Sequence, residues 1–123
     1  SERENIRTIL AGGFYLQEEK CFCGHLTLDM IRQLHVSKCF IAPSAISLDF
    51  GIRDHMQELI AIQRAFLEIS DQVYVLADSS KVGVCAPLKI CEMSASYRYI
   101  TDAGLPDEIL ETYVKAGFEV VRS

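Results

Sequence analysis

The sequence is short of basic charge, of proline and glycine, and of long apolar runs, and each shortage excludes a class of protein. Lys and Arg number 12 against 17 Asp and Glu, a formal net charge of −5. Nucleic-acid binding needs a basic footprint to neutralise phosphates, and this stretch of chain does not supply one. Three Pro and seven Gly in 123 residues exclude a fibrous or low-complexity chain. The longest apolar run, Val73 to Ala77, is far below the roughly 20 residues that a membrane-spanning helix requires. No charged-then-apolar leader opens the chain, since Ser1 to Asn5 is polar, so a cytoplasmic location without membrane contact is expected. The five cysteines (Cys21, Cys23, Cys39, Cys85, Cys91) are odd in number and lack C-x-x-C spacing. They read as reduced thiols rather than a disulfide framework.

What is present points to a folded core. Half the residues are apolar and 24% are charged, which excludes intrinsic disorder. A chain of 123 residues is one domain's worth, spanning 1–123, and can bury about two-thirds of its unfolded surface.

Short β-rich runs alternate with helical patterns. Ile6 to Leu10 reads as a strand stopped by Gly12-Gly13, and His25 to Leu34 as a helix with Leu26, Met30 and Leu34 on one stripe. Lys38 to Ala42 is the next strand, ended by Pro43. Asp54-x-x-Gln57 resembles a capping box and predicts a helix from Asp54 to about Ser70, lined by Leu59, Ile62, Phe66 and Ile69. Gln72 to Ala77 is the clearest strand and is expected at a central position. Cys85 to Ser96 reads as loop with a short helix, and Tyr97 to Ile100 as a strand. A helix follows from Pro106 to Gly117 with Ile109, Leu110, Tyr113 and Val114 on its buried face, and Phe118 to Val121 closes the chain as a strand. The predicted class is α/β, a mostly parallel open sheet with helices on both faces.

In such sheets ligands gather beyond the carboxyl ends of the strands. Here those ends carry Gly12-Gly13, Ser44, Asp78-Ser79-Ser80-Lys81 and Thr101-Asp102-Ala103-Gly104, each small or polar directly after an apolar run. Asp78 would accept hydroxyl protons, Ser80 would add a hydroxyl, and Lys81 would supply a point charge to phosphate. The loop through Gly51 and Arg53 leads into a helix N-terminus, where anions bind. An ordinary Asx turn and a solvated arginine explain the same letters. Cys21-x-Cys23-x-His25 has soft ligands but no matching second pair, so neither a metal nor a cofactor is expected. No nucleophile–base pairing, Walker loop or dinucleotide fingerprint is present.

The ordered set Leu10-Ala11-Gly12-Gly13, Cys23-Gly24-His25, Leu34-His35-Val36-Ser37-Lys38-Cys39-Phe40, Ala77-Asp78-Ser79-Ser80-Lys81 and Ile100-Thr101-Asp102-Ala103-Gly104-Leu105 resembles the C-terminal sensor domain of DeoR-type bacterial transcriptional repressors. The resemblance implies a fold like ribose-5-phosphate isomerase, incomplete here, and binding of a phosphorylated sugar or related metabolite that changes DNA binding by the full-length protein. It implies Asp78 and Lys81 in the ligand crevice, with the Ser44 loop and the Gly51-Ile52 turn along its wall. The resemblance implies an N-terminal helix-turn-helix and a phosphate-binding loop that are expected to lie outside this stretch, so DNA would be reached only through that other part. Binding by this chain alone is accordingly expected to be weak. The family's glycine-bearing loop reads Ala42-Pro43-Ser44-Ala45-Ile46 here, and Gln63 stands where a lysine is common. An exposed sheet edge, an apolar helix face and a positive mean hydropathy of +0.16 predict a homodimer or larger assembly. Two other readings share the fold: a phosphosugar isomerase using Asp78, Asp102 or Glu92 as base, and a dimerisation module whose ligand site has decayed.

Overall fold

A computed structural model describes residues 25–123. The strand expected at Ile6 to Leu10, the Gly12-Gly13 turn and the Cys21/Cys23 pair lie outside the described residues. The first described element is α1 (His25–Arg32), followed by β1 (Val36–Ile41), β2 (Ala45–Ser47) and β3 (Gly51–Asp54). Then come α2 (Gln57–Ile69), β4 (Ser70–Leu76), a single 3₁₀ turn (Ser79–Lys81) and β5 (Leu88–Cys91). The chain finishes with β6 (Arg98–Thr101), α3 (Asp107–Lys115) and β7 (Glu119–Arg122).

β1, β4, β6 and β7 form one parallel sheet in the order β1-β4-β6-β7, so the strand at 70–76 does occupy an interior position. β2, β3 and β5 form a separate antiparallel sheet. α2 packs on β1, β4 and β5, and α1 packs on α2. This is the α/β architecture that the alternation of strands and helices predicts. The core lies between the parallel sheet and these two helices. Cys39, Ile41, Val73, Val75 and Tyr99 point inward from the strands to meet Ile31, Ile62, Ala65, Phe66 and Ile69. Each such aliphatic or aromatic side chain contributes about 1.5–3 kcal/mol by leaving water.

Strand periodicity of two puts the intervening residues on the opposite face. There Phe40 stacks on Tyr74 with centroids 4.9 Å apart, and the Lys38 and Arg98 cations each sit 6.0 Å from the Tyr74 ring. Phe40, Leu76 and Val121 on this face are all more than a third exposed.

Four details differ from the sequence reading, each for a physical reason. α1 ends at Arg32, and its inward residues are Leu28 and Ile31, while Met30 is 59% exposed. α2 begins at Gln57 rather than Asp54, because Asp54 is still in β3 and its carboxylate is engaged elsewhere. The stretch 85–96 contains the strand β5 where a short helix was expected, held by pairing to β3. α3 buries Tyr113, whereas Ile109 and Val114 face outward. The stop at Gly117 does follow expectation, with φ of 100° suited to glycine.

Candidate functional site

The register of the parallel sheet aligns three loops. Ile41 lies beside Val75 and Leu76 beside Ile100. Ser44 and Asp78 therefore stand three residues beyond the first pair, and Asp78 and Asp102 two beyond the second. Three polar residues leave three adjacent strands at one level of the carboxyl edge.

At the end of β4, Asp78 caps the 3₁₀ turn. Its Oδ1 accepts from the Ser80 amide at 3.0 Å and from the Ser80 hydroxyl, and its Oδ2 lies 3.7 Å from Lys81 Nζ. The Ser80 hydroxyl, joined by the Ser80 amide and the Lys81 ammonium, holds the Asp78 carboxyl below its ordinary value. Both Asp78 and Lys81 are exposed, so their mutual attraction adds little stability and leaves both free to meet a solute.

At the end of β6, Asp102 clasps two loops together. One oxygen accepts the Ser79 amide at 2.9 Å and the other accepts the Gly104 amide at 2.8 Å. These two amides, with the Ser79 hydroxyl, lower the Asp102 carboxyl. A methyl group on Gly104 would sit 2.8 Å from Asp102 Oδ1 and 3.1 Å from Ser79 Oγ, which explains glycine there. The preceding Thr101 is buried, and its hydroxyl oxygen has no hydrogen-bond partner.

At the end of β1, Ser44 reaches a different set of groups. Its hydroxyl donates to Asp54 Oδ1 at 2.8 Å and lies 2.8 Å from His55 Nδ1. Asp54 Oδ1 also accepts the His55 amide at 2.7 Å, and Asp54 Oδ2 accepts Gln63 Nε2 at 3.3 Å. A serine hydroxyl has a single proton. With that proton on the Asp54 side, His55 Nδ1 must carry its own proton and donate to Ser44 Oγ. In that arrangement the Ser44 hydroxyl is committed to Asp54 rather than to the imidazole.

Gly51 and Arg53 have their own surroundings. Gly51 has φ of 78°, and a Cβ on it would lie 2.7 Å from the Cys91 carbonyl oxygen, so only glycine lets β3 pass β5. Arg53 donates from Nε to the Phe50 carbonyl at 2.8 Å and from Nη1 to the Ala86 and Pro87 carbonyls at 3.2 Å each. Among the sequence-derived candidates, the structure therefore groups Asp78, Ser80 and Lys81 on one loop and sets Ser44 at the same level on the next strand. Asp54, His55 and Gln63 were not among those candidates. Asp54 stood out only as a helix cap, and no local spacing links it to Ser44. Among the described residues, no three His, Cys, Asp or Glu side chains gather as a metal site. Cys39, Cys85 and Cys91 are free, and burial pushes the Cys39 and Cys91 thiols up, away from reactive thiolate.

Polar loops aligned along the carboxyl edge of an open α/β sheet occupy the position where such sheets take up ligands. The family model for the DeoR C-terminal sensor domain matches residues 1–103, and the chain belongs to that family. It is 28% identical over 120 residues to a putative aga operon transcriptional repressor of Escherichia coli O157:H7, covering 98% of this chain and 45% of the relative. It is 28% identical over 109 residues to the glycerol-3-phosphate regulon repressor of Escherichia coli K12, covering 89% and 43%. It is also 26% identical over 107 residues to the L-fucose operon activator of Haemophilus influenzae, covering 87% and 43%. The chain thus spans less than half the length of these curated relatives.

Proposed function

We propose that this chain is the effector-sensing part of a transcriptional regulator of carbohydrate metabolism, and that it holds a phosphorylated sugar or related metabolite without transforming it. The observation that carries the reading is the alignment of Ser44, Asp78 and Asp102 at one edge of the sheet, with Lys81 3.7 Å from Asp78. A carboxylate, hydroxyls and an ammonium suit a polyhydroxylated anion. Ser80 adds a hydroxyl to that loop. Gly51 would shape the hairpin behind the wall, and Arg53 would fix it through carbonyls.

Binding without catalysis is favoured by the carboxyls themselves. An isomerase needs a base whose pKa lies near the operating pH. Asp78 and Asp102 are both shifted the other way, by donors that stabilise their charged forms. Regulation would follow from a population shift, in which the metabolite favours one arrangement of subunits and so of the DNA-binding parts attached to them. A second copy of the chain and, through the rest of the full-length protein, an operator DNA are the macromolecular partners of this reading. The relatives named for operons and regulons of sugars and glycerol phosphate are consistent with it.

Thermal-shift titration of the full-length protein against phosphorylated sugars tests the proposal. At least one compound should raise Tm, and Lys81→Ala should weaken that compound about tenfold or more, since charge-assisted contacts are the strong ones. No rise with any compound would leave a dimerisation module with a decayed site. Turnover of a sugar phosphate that disappears in Asp78→Asn would make the protein an isomerase instead.

A further inference from the structure

The Ser44–Asp54–Gln63 cluster has more acceptors than donors, and among the described residues no fixed cation compensates its charge. The Asp54 side chain is only 5% exposed, yet its hydrogen-bond partners are a hydroxyl, a backbone amide and a carboxamide, all neutral. The nearest titratable nitrogen, His55 Nδ1, lies 3.5 Å away on a ring that is two-thirds exposed. Oδ1 already accepts two donors, whereas Oδ2 has one long bond from Gln63. Next to it, Gln63 Oε1 is buried and has no partner. A carboxylate oxygen accepts about two hydrogen bonds and a carboxamide oxygen likewise, so vacant acceptor positions remain on both side chains. Buried orphan acceptors are rare and call for an explanation.

We propose that Asp54 Oδ2 and Gln63 Oε1 form a subsite for a protonated primary amine, so that the effector of this domain is an amino sugar phosphate rather than a neutral one. An ammonium carries three donors and one positive charge. It fills both vacant acceptors and neutralises a carboxylate that is costly to bury alone. A hydroxyl can fill one acceptor but brings no charge, and a phosphate is repelled. The inference rests on the sensing role proposed above and names its ligand class. The subsite lies where β1 delivers Ser44, one strand from Asp78 and Lys81, so amine and phosphate are read by opposite charges on neighbouring loops.

The test is a set of paired titrations on the full-length protein, using glucose, galactose and mannose 6-phosphates, each beside its 2-amino-2-deoxy counterpart. In the pair that binds, the amine should bind about tenfold or more tightly, as desolvated charge pairs do. Asp54→Asn keeps an acceptor for the Ser44 hydroxyl and the His55 amide and removes the charge, and should abolish that preference, so that the two members of the pair bind equally. Gln63→Lys places a permanent ammonium beside Asp54, and should raise Tm without ligand and erase the amine preference. Equal affinity within the binding pair, or a preference that survives Asp54→Asn, overturns the inference and leaves sensing intact. A Gln63→Lys variant with lowered Tm also overturns it. If no sugar phosphate of either kind binds, the sensing role itself fails.

Discussion

The exposed Asp78, the half-buried Asp102 and the buried Tyr99 set the behaviour of individual residues at the carboxyl edge. Asp102 joins the β4 and β6 loops through the Ser79 and Gly104 amides. An Asn in its place keeps one acceptor oxygen and turns an NH₂ group toward the other amide. Asp102→Asn should therefore lower Tm by a few degrees at pH 7, measured by thermal melts. The pH dependence has a definite sign. Both Asp78 and Asp102 have folded pKa values below the ordinary 3.8, so their contribution is complete above that value. It is lost as pH falls below 3.8 through the folded values, because the unfolded state then binds more protons than the native one. The Tm gap between wild type and Asp102→Asn should thus be full at pH 7 and close progressively in melts below pH 4. Tyr99 behaves differently, being fully buried with its hydroxyl accepting the Ser94 amide at 2.9 Å and meeting the Ser94 carbonyl at 3.3 Å. Desolvation pushes its phenol up, so it stays a neutral donor at any working pH. Tyr99→Phe strands the Ser94 amide and should cost about 1–3 kcal/mol in urea unfolding.

The antiparallel sheet shows what an element owes to residues far away in sequence. β3 passes β5 only because Gly51 lacks a Cβ, and its φ of 78° lies where other residues are strained. Gly51→Ala should cost about 1–3 kcal/mol and loosen protection of the β5 amides in hydrogen exchange. Gly83 provides the internal control. It has a similar φ of 80° but open space around the missing Cβ, so Gly83→Ala meets the backbone strain without the clash and should cost less. This contrast also explains what could be read from the sequence. β4 and α3 were legible because the unbroken apolar run Val73 to Ala77, and Pro106 with Gly117, act locally. β2, β3 and β5 are three or four residues each and lack the flanking helix and turn signals that marked the equally short β6 and β7, so their existence depends on mutual pairing. The start of α2 was misread for a related reason. Asp54 has the chemistry of a cap, but Ser44, ten positions earlier, holds its carboxylate in the hairpin. The site divides along the same line. Asp78 to Lys81 is a contiguous run and visible as letters, whereas the Ser44–Asp54–Gln63 cluster exists only after β1, β3 and α2 are assembled.

At the scale of the whole molecule, the two faces of the parallel sheet are unequal. One is sealed by α1 and α2, while the other presents Phe40, Tyr74, Leu76, Ile100 and Val121 in adjacent register across all four strands. Phe40 and Val121 are 46% and 48% exposed, and the Phe40–Tyr74 stack across β1 and β4 gives a flat aromatic surface. Contiguous apolar surface of this kind marks an interaction site more often than a solvated face. The net charge of −5 does not oppose contact here, because the charges flanking the stack are the cations Lys38 and Arg98, the latter paired with Glu119 at 2.7 Å. Self-association through this face is the expected outcome for the isolated chain, and sedimentation velocity across the micromolar range should show a concentration-dependent shift above the monomer. Phe40→Ser together with Leu76→Ser should restore a monomer without unfolding it, since neither side chain enters the core beneath. Loss of association with an unchanged Tm would assign the contact to the sheet face. A monomeric profile for the unmodified chain, or association that persists in the double variant, would move the contact to another surface and remove subunit rearrangement through this face from the sensing mechanism.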